Sequence, residues 1–220
     1  MLSLSASQFR KALVYLSLLH ILIIAASNYL VQFPFEFLGL HNTWGAFTFP
    51  FIFLATDLTV RVFGKVLARR IVFAVMFPAL LLSYVISVVF AEGRFAGFSG
   101  LGDFNLFVAR IALASFMAYM LGQLLDIKVF DRLRRVPLWW VAPAASTLLG
   151  NALDTLVFFG VAFQNSPDAF MAAHWPEIAL VDYGFKLGLS LLFFLPAYGL
   201  VLAWLQQRLL LESPKGAVKL

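Results

Sequence analysis

Six stretches of this chain are long and apolar enough to cross a lipid bilayer as helices. They lie at about 11–33, 43–64, 69–90, 104–126, 138–163 and 179–207, each longer than the ~20 residues that a helix needs to traverse the hydrocarbon. A segment in lipid must satisfy its own backbone hydrogen bonds, which leaves helices or closed barrels. The runs are near-continuous and show no period-2 alternation, which argues against a barrel. The fold class expected is therefore all-α: one polytopic membrane bundle of six transmembrane helices over residues 1–220, with 208–220 as a tail. Only 12% of the residues are charged, about half the ~25% usual in soluble domains.

The breaks between spans are readable. Pro34 follows the first, with Gly39, His41 and Asn42 in the turn. Gly64 and Lys65 divide the second from the third. A glycine-rich polar stretch runs from Glu92 to Asp103. A basic turn runs from Asp131 to Pro137, and Asn165-Ser166-Pro167-Asp168 carries turn chemistry. The first apolar run is too long for a signal-peptide core and reads as a retained helix.

Of the 16 Lys and Arg residues, 13 fall on one side of this arrangement: both termini, the second-to-third connection and the fourth-to-fifth connection. Arg94 alone falls on the other, and Arg110 and Lys186 lie within spans. The positive-inside rule then places both termini in the cytoplasm, as an even number of spans also requires. The basic character follows membrane topology, so nucleic acid is not expected as a partner. Trp44, Trp139, Trp140 and Trp175 fall at span ends, where indoles anchor at the interface; Trp44 alternatively lids an outward cavity.

Charge inside hydrocarbon costs several kcal/mol unless it is paired, hydrated or facing a cavity. Thr147, Asn151 and Asp154, spaced four and three apart, share one face of the fifth span. No basic residue lies within a turn of Asp154, so its partner is Arg110 or Lys186 in an ion pair, or a ligand. At 1.5 Å per residue, Arg110 and Lys186 lie roughly 10 Å from the outer ends of their spans, and Asp154 about 13 Å. Asn28 lies in the same outer half, and Asp182 can pair with Lys186 at i,i+4. These depths predict one polar cluster drawn from four helices. Asp57 lies about 20 Å inward. With Arg61 it forms either a local ion pair or an inner gate and second ligand contact, which Gln123 and Asp126 can join.

Pro50, Pro78, Pro143 and Pro196 lie within spans, where each removes a backbone hydrogen bond and can kink its helix. Small residues recur every four positions at Ala114, Ala118 and Gly122, at Ala142, Ser146 and Gly150, and at Gly184 and Gly188. Such stripes pack the fourth to sixth spans together or form a homodimer face. There are no cysteines, and His20, His41 and His174 are far apart, so neither a metal site nor a cofactor is expected. No phosphate-binding loop, His-Glu-x-x-His motif or Gly-x-Ser-x-Gly elbow is present, and no catalytic residue or enzyme activity is expected.

The run from Ser27 to Val31, Thr43 to Phe47, Pro50 to Arg61, Asn105 to Ile111, Asp154-Thr155, Ser166 to Met171, and the pair Asp182 and Lys186 closely resemble the vitamin uptake transporter family, in its branch that carries queuosine precursors. The likeness is colinear over nearly the whole chain. It implies a multi-pass bacterial inner-membrane importer of 7-cyano-7-deazaguanine and 7-aminomethyl-7-deazaguanine for tRNA modification. It also implies a helix count like that of the substrate-binding components of energy-coupling-factor vitamin transporters. A substrate-capture subunit needing a separate ATPase module is the alternative.

A deazaguanine presents two donors that a carboxylate accepts in bidentate fashion. On that chemistry Asp154 takes the donor edge, with Asn151 and Thr147 beside it. Arg110 and Lys186 orient the acids or meet the carbonyl, and Asp182 favours the cationic aminomethyl form. Asp57, Asn28 and Gln123 complete the candidate substrate-binding set. Phe158, Tyr183 and Trp44 are candidate stacking faces.

Overall fold

The computed structural model describes residues 5–37, 40–91 and 93–212. Gly39 of the first turn, Glu92 of the glycine-rich stretch and residues 213–220, with Lys215 and Lys219, lie outside the described residues. Six helical segments long and apolar enough to span a membrane run over Ala6–Leu30, Gly45–Phe63, Lys65–Val89, Leu106–Leu133, Val141–Phe163 and Ala169–Leu205. The fold is all-helical in its spans, as the apolar runs require. Two short antiparallel hairpins are added at one end, β1 Pro34–Phe37 with β2 Leu40–Thr43 and β3 Phe90–Ala91 with β4 Arg94–Phe95.

The first span is one helix, α1 (Ala6–Leu30), started by a capping box in which Ser5 and Gln8 satisfy each other's backbone N–H. The second divides into a single turn, α2 (Gly45–Thr48), and α3 (Pro50–Phe63). Gly64 alone joins α3 to α4 (Lys65–Val89). Its φ of 90° is left-handed, and its N–H closes onto the carbonyls of Thr59 and Val60. A side chain there is strained, because only glycine adopts this backbone freely. Asn105 caps α5 (Leu106–Leu133) by accepting from the Val108 N–H at 3.0 Å. Asp168 does the same for α7 (Ala169–Leu189) through Met171.

The sixth span begins ten residues earlier than the hydropathy reading of 179–207, because the Asp168 cap starts a helix that carries Pro176 inside it. That helix does not end at Leu189. It passes through one widened π-helical turn, Ser190–Phe194, into α8 (Leu195–Glu212). The proline expectation is corrected in part. Pro50 opens α3 and Pro143 is the third residue of α6 (Val141–Phe163), where a backbone N–H has no helical partner to lose. Pro196 is the second residue after the π turn Ser190–Phe194, and the widened turn accommodates a ring that clashes with the preceding turn. Pro78 stands within the continuous α4.

The tightest helix pair is α5 against α6. Ala114, Ala118, Ala142 and Ser146 are all buried, with Gly122 and Gly150. A Cβ on Gly122 would lie 3.0 Å from Cβ of Asp154, and one on Gly150 would lie 2.7 Å from Phe53 and 3.2 Å from Cβ of Asp126. Two of the small-residue stripes thus form the α5–α6 contact. The third does not, because a Cβ on Gly184 or Gly188 meets open space.

The ends of the bundle differ chemically. Where α3 meets α4 and α5 meets α6, Asp131 pairs with Lys65 at 2.8 Å and with Arg134 at 3.0 Å. There too, Arg70 lies 5.1 Å from the Phe9 ring. The opposite end carries the two hairpins and the aromatic contacts of Phe35, Trp44, Phe47 and Phe185. Trp139 departs from a simple interface anchor: it lies parallel to Tyr198, with ring centroids 6.4 Å apart.

Gly150→Ala is expected to lower stability by about 1–3 kcal/mol, the usual cost of overpacking, while Gly184→Ala is close to neutral. Thermal midpoints of the detergent-solubilised proteins, followed by size exclusion, check the contrast.

Candidate substrate-binding site

Three turns of α6 supply the polar stripe predicted by its spacing. Thr147, Asn151 and Asp154 are all buried, Asn151 completely. Helix periodicity puts them on one face, and the glycine contact presses that face into the bundle. Thr147 lines a narrow cleft. Asp57 and Phe53 of α3, Ser190 and Phe194 of the π turn, and Tyr198 of α8 also line it. Asn151 Nδ2 reaches the Ser190 hydroxyl at 3.5 Å, while its buried Oδ1 meets no donor among the described residues. The widened turn sets this arrangement, because it re-aims Ser190 within an otherwise continuous helix.

Asp154 sits in the ion pair that the sequence allowed with Lys186. Lys186 Nζ lies 3.7 Å from Asp154 Oδ2 and 2.7 Å from Asp182 Oδ2. The same ammonium lies 5.3 Å from the centre of the Phe49 ring, a cation–π contact that helps hold a desolvated charge. Asp182 is the closer carboxylate, one turn from Lys186 on the same helix. The structure therefore brings Asp154, Lys186 and Asp182 together.

Arg110 and Asn28 are not in that group. Arg110 donates from Nε to the Val161 carbonyl at 2.7 Å, from Nη1 to Asn165 at 3.3 Å, and from Nη2 to Gln164. It closes the last turn of α6, where carbonyls lack helical partners, and supports the left-handed Asn165 at φ 55°. Asn28 donates to Ser83 of α4 at 2.6 Å. The four-helix cluster predicted from equal depth is corrected on this point. Depth is set along a helix axis, whereas contact is set by rotation about it.

Asp57 also departs from its expected local pair. Arg61 turns away, donating from Nε to the Tyr198 hydroxyl at 2.8 Å and from Nη1 and Nη2 to the carbonyls of Arg134 and Trp139. Asp57 instead accepts from Ser146 of α6 at 3.0 Å. Gln123 accepts from Thr56 at 2.5 Å, one residue from Asp57. Ser190 and Tyr198 were not in the predicted set. Pro196, six residues after Ser190 in an apolar run, was the sequence trace of the bulge that positions Ser190. The three stacking candidates lie apart: Tyr183 donates to the Leu148 carbonyl at 3.2 Å, Phe158 packs on Phe159 and Phe163, and Trp44 packs with Phe35 and Phe47.

Residues 43–201 match the family described as "Putative vitamin uptake transporter". The "Queuosine precursor transporter" of Escherichia coli (strain K12) is 64% identical over 215 residues, covering 98% of this chain and 97% of that protein. The "Probable queuosine precursor transporter" of Haemophilus influenzae (strain ATCC 51907 / DSM 11121 / KW20 / Rd) is 56% identical over 207 residues, covering 89% and 88%. That of Bacillus subtilis (strain 168) is 30% identical over 164 residues, covering 71% and 70%. No solved structure matches this chain. The chain belongs to the vitamin uptake transporter family. The matched region contains every predicted site residue except Asn28.

Removing only the cation of the Lys186 group leaves two buried carboxylates without their partner, which in buried pairs costs about 3–5 kcal/mol. Lys186→Met is therefore expected to lower the thermal midpoint more than the double change Lys186→Met with Asp182→Asn. A double change as unstable as the single one would contradict the pairing.

Proposed function

We propose that this protein imports the queuosine precursors 7-cyano-7-deazaguanine and 7-aminomethyl-7-deazaguanine across the bacterial inner membrane, for use in tRNA modification. The observation that carries the reading is the 64% identity to a queuosine precursor transporter over 98% of the chain. In this reading both termini are cytoplasmic. Thirteen of the 16 Lys and Arg residues fall at the termini and the two connections assigned to that side, as the positive-inside rule describes. The six spans invite comparison with the substrate-binding components of energy-coupling-factor transporters, and the chain is read as a carrier rather than an enzyme.

The base occupies the cleft between α3, α6 and the π turn. Asp57 accepts from its N1–H, Thr147 and Ser190 hydroxyls meet its carbonyl, and Phe53 and Phe194 supply ring contact; Asn151, buried behind Ser190, offers its free Oδ1 to the exocyclic amine once the cleft opens. Much of the cleft is narrower than an aromatic base, so binding opens it, and the single widened turn before Pro196 is where α7 and α8 can bend apart. Asp154, on the same face of α6 as Thr147 and Asn151, and its partners Lys186 and Asp182 set the electrostatics of the site, with Asp182 favouring the cationic aminomethyl form. Gln123 positions Asp57 through Thr56. Arg110 and Asn28 hold helices in place.

In a strain unable to synthesise the precursor, supplied 7-cyano-7-deazaguanine restores queuosine in tRNA with this gene present and not without it. Equal restoration in both strains removes the import reading. Asn151→Ala is expected to weaken base binding roughly ten-fold, the ~1.4 kcal/mol equivalent of one lost hydrogen bond, as measured by titration calorimetry. Vesicles containing only this protein take up the base, and uptake that requires an added ATPase module would instead identify a substrate-capture subunit.

A further inference from the structure

Asp57 and Asp126 come from α3 and α5, are 2% and 0% exposed, and meet the same face of α6, Asp57 at Ser146 at 3.0 Å and Asp126 at Gly150, whose Cβ would stand 3.2 Å from its own; their carboxyl groups are within reach of each other. Ser146 donates to Asp57 at 3.0 Å and is also close to Asp126. Both Asp126 oxygens are buried with no donor among the described residues. Carboxylate oxygens only accept, so two of them in contact complete a hydrogen bond only when a proton lies between them. Two ionised carboxylates sharing one dry site repel each other.

Among the described residues no Lys or Arg forms an ion pair with either carboxyl group. Arg61 of α3 is a turn from Asp57 and acts on it through space, but its guanidinium is committed to Tyr198 of α8 and to the carbonyls of Arg134 and Trp139. Lys186 of α7 is held by Asp182 and Asp154. Ser146 is the polar neighbour from α6, and α4 brings no charged group to either carboxyl among the described residues. A second, independent sign of a missing partner lies one turn away. Gln123 Nε2 is buried with no acceptor, although its Oε1 takes the hydroxyl of Thr56. An N–H without an acceptor thus stands one turn from oxygens without a donor.

A metal cation does not suit this place. No group of three His, Asp or Glu side chains gathers among the described residues, and a hard cation needs six or more oxygen ligands around it. A proton needs only the two oxygens. Asp57 also lines the cleft assigned above to the base, so occupancy of the two places is linked.

We propose that Asp57 and Asp126 form a proton-binding site that couples entry of the base to entry of protons. The proposal rests on the import reading. The pair takes a proton from the outer side and releases it to the cytoplasm as the helices rearrange, with no other reactant.

Two measurements test it. Infrared spectra of the purified protein at neutral pH show the carbonyl stretch of a protonated carboxylic acid, shifted in heavy water and lost in Asp126→Asn. Absence of that band in the unaltered protein overturns the site. In vesicles containing only this protein, labelled 7-cyano-7-deazaguanine accumulates inside when the lumen is one pH unit more alkaline. One proton per base allows up to ~10-fold accumulation, since one unit is worth about 1.36 kcal/mol. Asp126→Asn abolishes that accumulation. Uptake that proceeds to the same level with and without the gradient, or that follows sodium instead, overturns the coupling and leaves import standing. No movement of the base under any gradient, by protein that retains the band, overturns the import reading and the coupling with it.

Discussion

Gly122 and Gly150 let α5 and α6 approach until each glycine meets the other's backbone, with the carbonyls of Gly150 and Gly122 3.3 and 3.4 Å from where a Cβ would stand. In lipid there is no hydrophobic drive between helices, so contact of this kind supplies the association. It also decides the chemistry of the interior. The closest neighbours of the two glycines include Asp154, Asp126 and Phe53, so the approach that packs the helices also draws carboxyl groups together and presses both against α3. Larger residues at either position would separate the polar groups of α3, α5 and α6.

The charges that remain inside are settled in three different ways. Arg110 closes the end of α6 by donating to its last carbonyls. Lys186 is shared between two carboxylates and a phenylalanine ring. Arg61 ties α3 to α8 and to the α5–α6 turn. Each cation is thereby committed, and this leaves the carboxyl groups of Asp57 and Asp126 facing one another beside the cleft. A bundle can hold its helices rigidly at Arg110 and Arg61 and still keep one polar seam free for a ligand.

Much of this was legible in the chain. The six spans were read from the length of the apolar runs, and the α6 stripe and the small-residue stripes of α5 and α6 from helical spacing. The pairing of Lys186 with Asp182 followed from i,i+4 spacing. Span ends set by caps were less visible: Asp168 begins α7 ten residues before the apolar run that hydropathy detects, because a helix can start in polar sequence once its first N–H groups are satisfied. The roles of Arg110 and Asn28 were misread because both were assigned by depth. For Asp154 the absence of a local cation left Arg110, Lys186 or a ligand open, and the packing of α7 on α6 selects Lys186.

What the sequence determined by itself was the medium, the number of crossings and which residues share a helix face. These follow from backbone hydrogen bonding in hydrocarbon and from the 3.6-residue repeat, both local properties. Only the tertiary structure decided which faces meet, and so which carboxylate meets an ammonium, which meets a hydroxyl and which meets another carboxylate. That choice depends on the rotation of each helix about its axis and on one widened turn at Ser190–Phe194, neither of which a single helix can set without its neighbours.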